Sequence, residues 1–343
     1  MKIAVCGDIH ISKTSSIIKS RGNKYSTRIE NCLKSINWFE QVAKEKGCQL
    51  EVFLGDTFDK PILSDEELTA IKDIEWNGDI PHYFIVGNHE SSVNGLQYNS
   101  VKALEGGLRK VISKYEKCDF DTTELHFLPY IIESDRQPLE TYLDKNKQCK
   151  KHIIFSHNDI EGIQMGPVIS KVGFKMDEIE NNCDMFINGH LHNGCKVSNK
   201  IINLGILTGQ TLNEDADRYP HRVMILDTDT LQYELIENPY AFNFYNIEIN
   251  NTLEITKLSG LKNNAVVSIK CNIEILDSVK DALSTLTNII QYRVTTFRVN
   301  KEVGEVDKVE DFSVDHLEKF KEFCLISIGN TKIVNEELCE VLK

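Results

Sequence analysis

The chain of 343 residues has no C-x-x-C pair, no apolar run approaching a membrane span, no internal repeat and no low-complexity tract. Without paired thiol motifs, the ten cysteines (Cys6, Cys32, Cys48, Cys118, Cys149, Cys183, Cys195, Cys271, Cys324, Cys339) form neither a zinc module nor a disulfide framework. Reduced, mostly buried thiols are expected. Met1 to Val5 is too short, and too quickly followed by Gly7-Asp8, to serve as a signal peptide; a cytoplasmic protein with no membrane attachment is expected. Positive charge is also lacking. A formal net charge of -13 argues against a broad basic face tracking a nucleic-acid backbone.

One local absence runs the other way. From Ile11 to Ile29 there is no Asp or Glu, while Lys13, Lys19, Arg21, Lys24 and Arg28 all fall there. Such a run reads either as a solvated basic loop leading into a helix or as a patch that steers phosphate.

What is present is an ordinary globular composition, enough for one large domain with smaller additions. Lys2 to Cys6 reads as a buried strand stopping at Gly7-Asp8. Ser26 can cap a helix in which Ile29, Leu33, Ile36, Phe39 and Val42-Ala43 recur at helical spacing, ended by Gly47. A second strand, Leu50 to Leu54, runs into Gly55-Asp56. Another helix opens at Ser64 and reaches about Asp73, and a third strand ends at Gly87-Asn88-His89-Glu90. This order predicts an α/β fold with a largely parallel sheet. Further strands are expected at His152 to Phe155, Asp184 to Ile187, Lys200 to Leu204 and Val223 to Leu226. Beyond Asn238-Pro239-Tyr240 a small α+β unit is expected: strands at Tyr245 to Ile249, Ala265 to Ile269 and Val294 to Val299, and a helix from Ser278 to Ile289. Lys301 to Asp311 reads as a linker. Ser313 then caps a last helix with Leu317, Phe320 and Phe323-Cys324 in one stripe.

Five apolar strands end in Asp8-x-His10, Asp56, Asn88-His89, His157 and His190-x-His192. A lone Asp or His at a strand end is commonly a turn former. Five together point to a ligand site at the carboxyl ends of a sheet, where open α/β folds bind. Carboxylate, imidazole and amide oxygen without thiolate suit borderline to hard divalent ions such as Mn or Fe. The ligand count implies two metals. A carboxylate bridging ions about 3.5 to 4 Å apart would serve in-line displacement at a phosphate ester. His190 and His192, spaced by two, leave the backbone on one side, whereas His89 beside Asn88 points away, which suits an acid. His82, His126, His152, His221 and His316 lack such a setting and are read as structural, and Cys195 as packing.

In that order, GDIH, GDTFD, GNHE, SHND and NGHLH resemble the calcineurin-like metallophosphoesterase superfamily over roughly residues 1 to 240. The resemblance implies a four-layer α/β domain of sheets flanked by helices. It implies Asp8, His10 and His192 as ligands of one metal, Asn88, His157 and His190 as ligands of the other, and Asp56 as the bridge. His89 would donate the proton to the leaving oxygen, with Asp59 orienting it. The same resemblance implies two divalent ions, Mn2+ by expectation.

Within the superfamily, a protein phosphatase would show GDIHG and GDxxDRG; here Ile11 and Lys60-Pro61 stand instead. A small-molecule phosphodiesterase would have little use for the added domain. GDIHI with its basic loop, GDTFDK, a GNH motif, a cap-like unit and a terminal helix resemble the SbcD-type recombination nucleases, closest to the nuclease subunit of T-even-like phage complexes. That implies DNA as substrate, endonuclease and 3'-to-5' exonuclease action, an SbcC-like SMC-type ATPase partner, a homodimer, and the host cytoplasm if phage-encoded. The expected division is a nuclease domain over 1–240, a DNA-recognition cap over 241–300 and a linker with helix over 301–343. The last helix either binds the partner or packs on its own cap. Glu90, where nucleases commonly have Asp and phosphatases Glu, reads as support behind the ligands or at a helix start.

Overall fold

Alternation with a period of two sorts the side chains of the first strand, β1 (Lys2–Cys6), into two apolar layers: Ile3 and Val5 to one face, Ala4 and Cys6 to the other. This computed structural model describes residues 1–13, 24–92, 95–120, 122–143, 150–165 and 168–298. The next strands are β2 (Leu50–Phe53), β3 (His82–Ile85) and β4 (Arg109–Ile112). They are followed by β5 (Glu116–Asp119), β6 (Thr123–Leu128), β7 (Lys151–Ser156), β8 (Met185–Asn188), β9 (Cys195–Lys196) and β10 (Ile201–Asn203). Then come β11 (Arg222–Asp227) and β12 (Tyr233–Glu237).

These strands build two six-stranded sheets, ordered β12-β11-β1-β2-β3-β4 and β9-β10-β8-β7-β6-β5. In the first, β1 through β4 are parallel, β11 runs antiparallel to β1, and β12 pairs antiparallel with β11. In the second, β6, β7, β8 and β10 are parallel, with β5 and β9 as antiparallel edges. Val5, Val52, Ile85 and Met224 of one sheet meet Leu125, Phe127, Phe155 and Ile187 of the other in a shared core. Each sheet also has an outer apolar face, so the layers run helix, sheet, sheet, helix.

The helix covering the first sheet is α1 (Thr27–Glu45), and its buried face includes Ile29, Leu33, Ile36, Phe39, Val42 and Ala43, as the spacing predicts. Ser26 caps it by accepting from the Ile29 amide, and Gly47, at φ +67°, turns the chain away. Ser64 and Glu67 form a capping box for the short α2 (Asp65–Ala70). On the second sheet, α3 (Met176–Asn182) buries Ile179 beside Ile154, Phe174 and Phe186.

The chain divides into two compact units. One comprises Met1–Tyr245, Leu261–Val267 and Thr287–Gln291; the other comprises Asn246–Gly260, Ser268–Leu286 and the described residues from Tyr292. Strands β13 (Asn243–Ile249), β14 (Ala265–Asn272) and β15 (Ile289–Phe297) form a sheet in that order. Helix α4 (Leu276–Thr285) buries Val279 and Leu283, one turn apart. The helix expected up to Ile289 stops short: Leu286 is already extended, and the β-branched pair Ile289-Ile290 opens β15 instead. The linker from Lys301 and the helix from Ser313 lie outside the described residues. No described helix is long and apolar enough to cross a membrane.

Candidate metal centre and active site

Strands β1, β2 and β3 of one sheet and β7 and β8 of the other deliver their following loops to the same place in the first unit. Three residues there hold left-handed backbone without being glycine: His10 at φ 51°, Asp56 at 47° and His190 at 73°. Such conformations are costly for ordinary residues and persist where the surroundings over-determine them. All three are expected ligands. Two glycines make room for them. A Cβ on Gly55 would lie 2.4 Å from His157 Nδ1, and one on Gly87 would lie 2.1 Å from Asp56 Oδ1.

The hydrogen bonds fix which ring nitrogens carry protons. His10 Nδ1 lies 3.0 Å from Asp59 Oδ1, and His192 Nδ1 lies 3.1 Å from Glu214 Oε1. Carboxylates only accept, so both Nδ1 atoms donate and both Nε2 lone pairs are left bare. Those two bare nitrogens face each other at 3.0 Å. His157 Nδ1 donates to the Leu54 carbonyl at 2.7 Å, leaving Nε2 at 3.1 Å from Asn88 Oδ1 and 3.2 Å from Asp56 Oδ2. His190 Nε2 donates to Asp159 Oδ1 at 3.2 Å, leaving Nδ1 at 3.0 Å from the same Asn88 oxygen. With these rings neutral, acceptors converge on acceptors, an arrangement that a cation satisfies and that a proton on the ring satisfies where no ion is bound. Asp8 is fully buried, and its Oδ2 has no hydrogen-bond partner. The donor set fits two divalent ions: Asp8, His10 and His192 beside one position, Asn88, His157 and His190 beside the other, with Asp56 reaching both groups.

Charge is concentrated accordingly. Burial works against an ionised Asp56, yet His157, His10 and His89 outweigh it and hold the carboxyl well below the usual range. Burial likewise opposes a charged His157, but Asp56 and Asp8 push it up to about 9. His192 is raised against burial by Glu214, Asp8 and Asp56. A buried site that draws positive charge this strongly is a place for metal ions.

His89 sits differently. Its side chain is 44% exposed, where His10 and His157 are buried. Its amide donates to Asp56 Oδ1 at 3.0 Å, and Nδ1 lies 3.3 Å from the Asp59 carbonyl. With Nδ1 donating there, Nε2 is the atom free to exchange a proton.

A sequence model of calcineurin-like phosphoesterases matches residues 1–194. The chain belongs to the calcineurin-like phosphoesterase family. It is therefore a metallophosphoesterase, a hydrolase whose fold binds divalent metal ions. No curated protein matches it. Three solved structures are similar over 69% of this chain: a novel archaeal phosphodiesterase at 13% identity (99% of that chain, TM-score 0.35), TT1561 of Thermus thermophilus at 11% (98%, 0.39), and a dimetal phosphatase from Danio rerio at 11% (99%, 0.38).

For this phosphoesterase, Asp8, His10, Asp56, Asn88, His157, His190 and His192 come together, with His89 and Asp59 at the rim. The basic residues fare differently. Arg28 does not face the site from a loop: it is 2% exposed, and its guanidinium donates to the carbonyls of Gly209 (2.7 Å), Ile9 (2.6 Å) and His10 (3.4 Å). The expectation that it contacts phosphate is corrected, because a buried guanidinium must be satisfied internally. Lys24 pairs with Asp73 at 2.6 Å. Lys13 is exposed, while Lys19 and Arg21 lie outside the described residues.

Four residues that shape the site were not among the expected ones. Glu214 and Asp159 orient His192 and His190, and Gln210 donates to Asp59 Oδ1 at 3.1 Å. Asn158 accepts from the Ile131 amide at 2.9 Å, bracing the loop after β7. Glu214 follows no strand end, so nothing in the pattern marks it; Asp159, two residues past His157, was within reach. Glu90 is wholly buried and accepts from the amides of Phe58 (2.9 Å) and Gly87 (2.8 Å), tying two ligand loops together. Burial and Asp56 push its carboxyl up to about 8.

Proposed function

We propose that this phosphoesterase is a DNA phosphodiesterase, acting as endonuclease and 3'-to-5' exonuclease in recombination and in break or end processing, with an SMC-like ATPase as partner. The metals in this reading are two Mn2+ ions. Bound, they supply an activated water and neutralise charge on the phosphoryl oxygens. His89, exposed at the rim and backed by the Asp59 carbonyl, gives its Nε2 proton to the departing oxygen. Asp59 and Glu214 hold the imidazoles of His10 and His192 in the tautomers that ligation needs.

The observation that carries the choice of substrate is what replaces the protein-phosphatase signature. Ile11, in the glycine's place, is fully buried and bridges to Phe58; Lys60, in the arginine's place, pairs with Glu67 at 2.9 Å. The protein-phosphatase signature is thus absent at both positions, and the Lys60 amine is engaged by a carboxylate. Glu90, the one letter favouring a phosphatase, is occupied with backbone amides and therefore says nothing about substrate. The resemblance to SbcD-type nucleases supports DNA, with the ATPase supplying the long backbone contacts that a chain of net charge -13 does not provide.

The test is a panel with Mn2+: single- and double-stranded DNA, a phosphomonoester and a phosphopeptide. Metal-dependent cutting of DNA, including shortening from 3' ends, is expected. Rapid phosphopeptide turnover beside intact DNA would overturn the reading.

A further inference from the structure

A second convergence of metal-type side chains lies at the opposite end of the second sheet. Glu124 and His152 are register partners on the parallel strands β6 and β7, and His126 stands two residues along β6, so all three project from one face. That face is the one turned away from the core between the sheets. His152 and His157 are five residues apart on an extended segment, about 16 Å at 3.3 Å per residue. The cluster is thus separate from the candidate active site and independent of its proposed substrate.

Two of the three distances match those of a coordination polyhedron, and the third, between the two rings, is a hydrogen-bond length that an ion would have to open by a few tenths of an ångström. His126 Nε2 and His152 Nδ1 lie 3.0 Å apart, and Glu124 Oε2 is 3.4 Å from the first and 3.5 Å from the second. Zinc bonds to nitrogen and oxygen of about 2.0 to 2.2 Å put tetrahedral ligands about 3.3 to 3.5 Å from one another. A carboxylate bonded to one ring alone would close on that ring at about 2.8 Å; here it stands almost equidistant from both. The same short approach of two imidazole nitrogens occurs between His10 and His192.

The surroundings prepare the ligands. Tyr115 Oη lies 2.9 Å from His126 Nδ1 and can accept its proton, which leaves Nε2 bare. Lys117 pairs with Glu124 through the other oxygen, Oε1, at 3.0 Å. Glu124 and His126 are fully buried, while the His152 side chain is 17% exposed and offers a way in for the ion.

We propose that Glu124, His126 and His152 form a zinc site, with water as fourth ligand, that ties β6 to β7. Two imidazoles and one carboxylate suit zinc better than Mg2+ or Ca2+.

The experiment counts zinc by mass spectrometry in the metal-stripped, zinc-reloaded full chain. Wild type should carry one equivalent more than His152→Ala, a change at the one of the three side chains that reaches solvent, and zinc should raise the unfolding midpoint of wild type further than that of the variant. The extra equivalent should persist in Asp56→Asn. Crystals of zinc-soaked wild type should show anomalous density among the three side chains, a readout that needs no variant to fold. Equal zinc counts in wild type and His152→Ala, or anomalous density at the candidate active site alone, would overturn the proposal.

Discussion

At the scale of single residues, the site is a problem in assigning protons. Four imidazoles each spend one nitrogen on a fixed acceptor, Asp59, Glu214, Asp159 or the Leu54 carbonyl, and so each offers the other toward the centre. His89 is the exception, with its ring half exposed and its Nδ1 on a carbonyl. His89→Asn should therefore retain its metal, measured by mass spectrometry, while hydrolysis falls by about 10^2- to 10^4-fold. Undiminished hydrolysis with metal bound would remove His89 from the role of acid. The ligand letters were legible because each follows an apolar strand. Glu214 was not, since its link to His192 depends on how a distant loop returns, and spacing along the chain carries no trace of that.

At the scale of elements, α1 does two jobs. Its apolar face covers the first sheet, and Arg28 in its first turn holds the carbonyls of Ile9 and His10, next to the strained backbone of a ligand. The basic run that opens this helix suggested phosphate binding, because a sequence shows charge but not burial. Arg28→Met should lower stability by about 2 to 4 kcal/mol in urea unfolding, from the buried carbonyls it abandons. Unchanged stability with a raised KM would return Arg28 to phosphate contact. Helices α1, α2 and α4 and most strands were readable from periodicity and caps, whereas α3, short and without a side-chain cap, was not. Nor were strands β4, β5, β6, β9 and β12; in β6, Glu124, Leu125, His126 and Phe127 alternate polar and apolar, yet all are buried, so the sequence shows the period but not the layer that covers its polar face. The stripe at Leu317, Phe320 and Phe323 lies outside the described residues.

Across the whole molecule, ionisable groups are buried at both ends of the sheets. Far from the ligand loops, Glu40, Glu51 and His82 are each no more than 2% exposed; His82 Nε2 lies 3.1 Å from Glu40 and 3.4 Å from Glu51. Burial, then Glu40, pushes Glu51 up to about 10. Its pKa is raised by folding, so its stabilising contribution is complete below about 4.5, the unfolded value, and is lost as pH climbs toward 10. Wild type should lose stability between about pH 6 and 9 at up to about 1.4 kcal/mol per pH unit from this group. Glu51→Gln, which keeps an acceptor for Asn77, should flatten that decline in urea titrations at the two pH values. An identical slope in both proteins would show that Glu51 is ionised in the fold.

Two sheets bring their loops together around residues that would hold a pair of divalent ions, with Asp56 within reach of both groups. Electron paramagnetic resonance of the metal-stripped chain reloaded with Mn2+ tests this arrangement most directly. Two manganese ions per chain at these loops, with the spectrum of an exchange-coupled pair, are expected, and the coupling should be lost in Asp56→Asn. An uncoupled signal in the wild type, or coupling that survives Asp56→Asn, would contradict it.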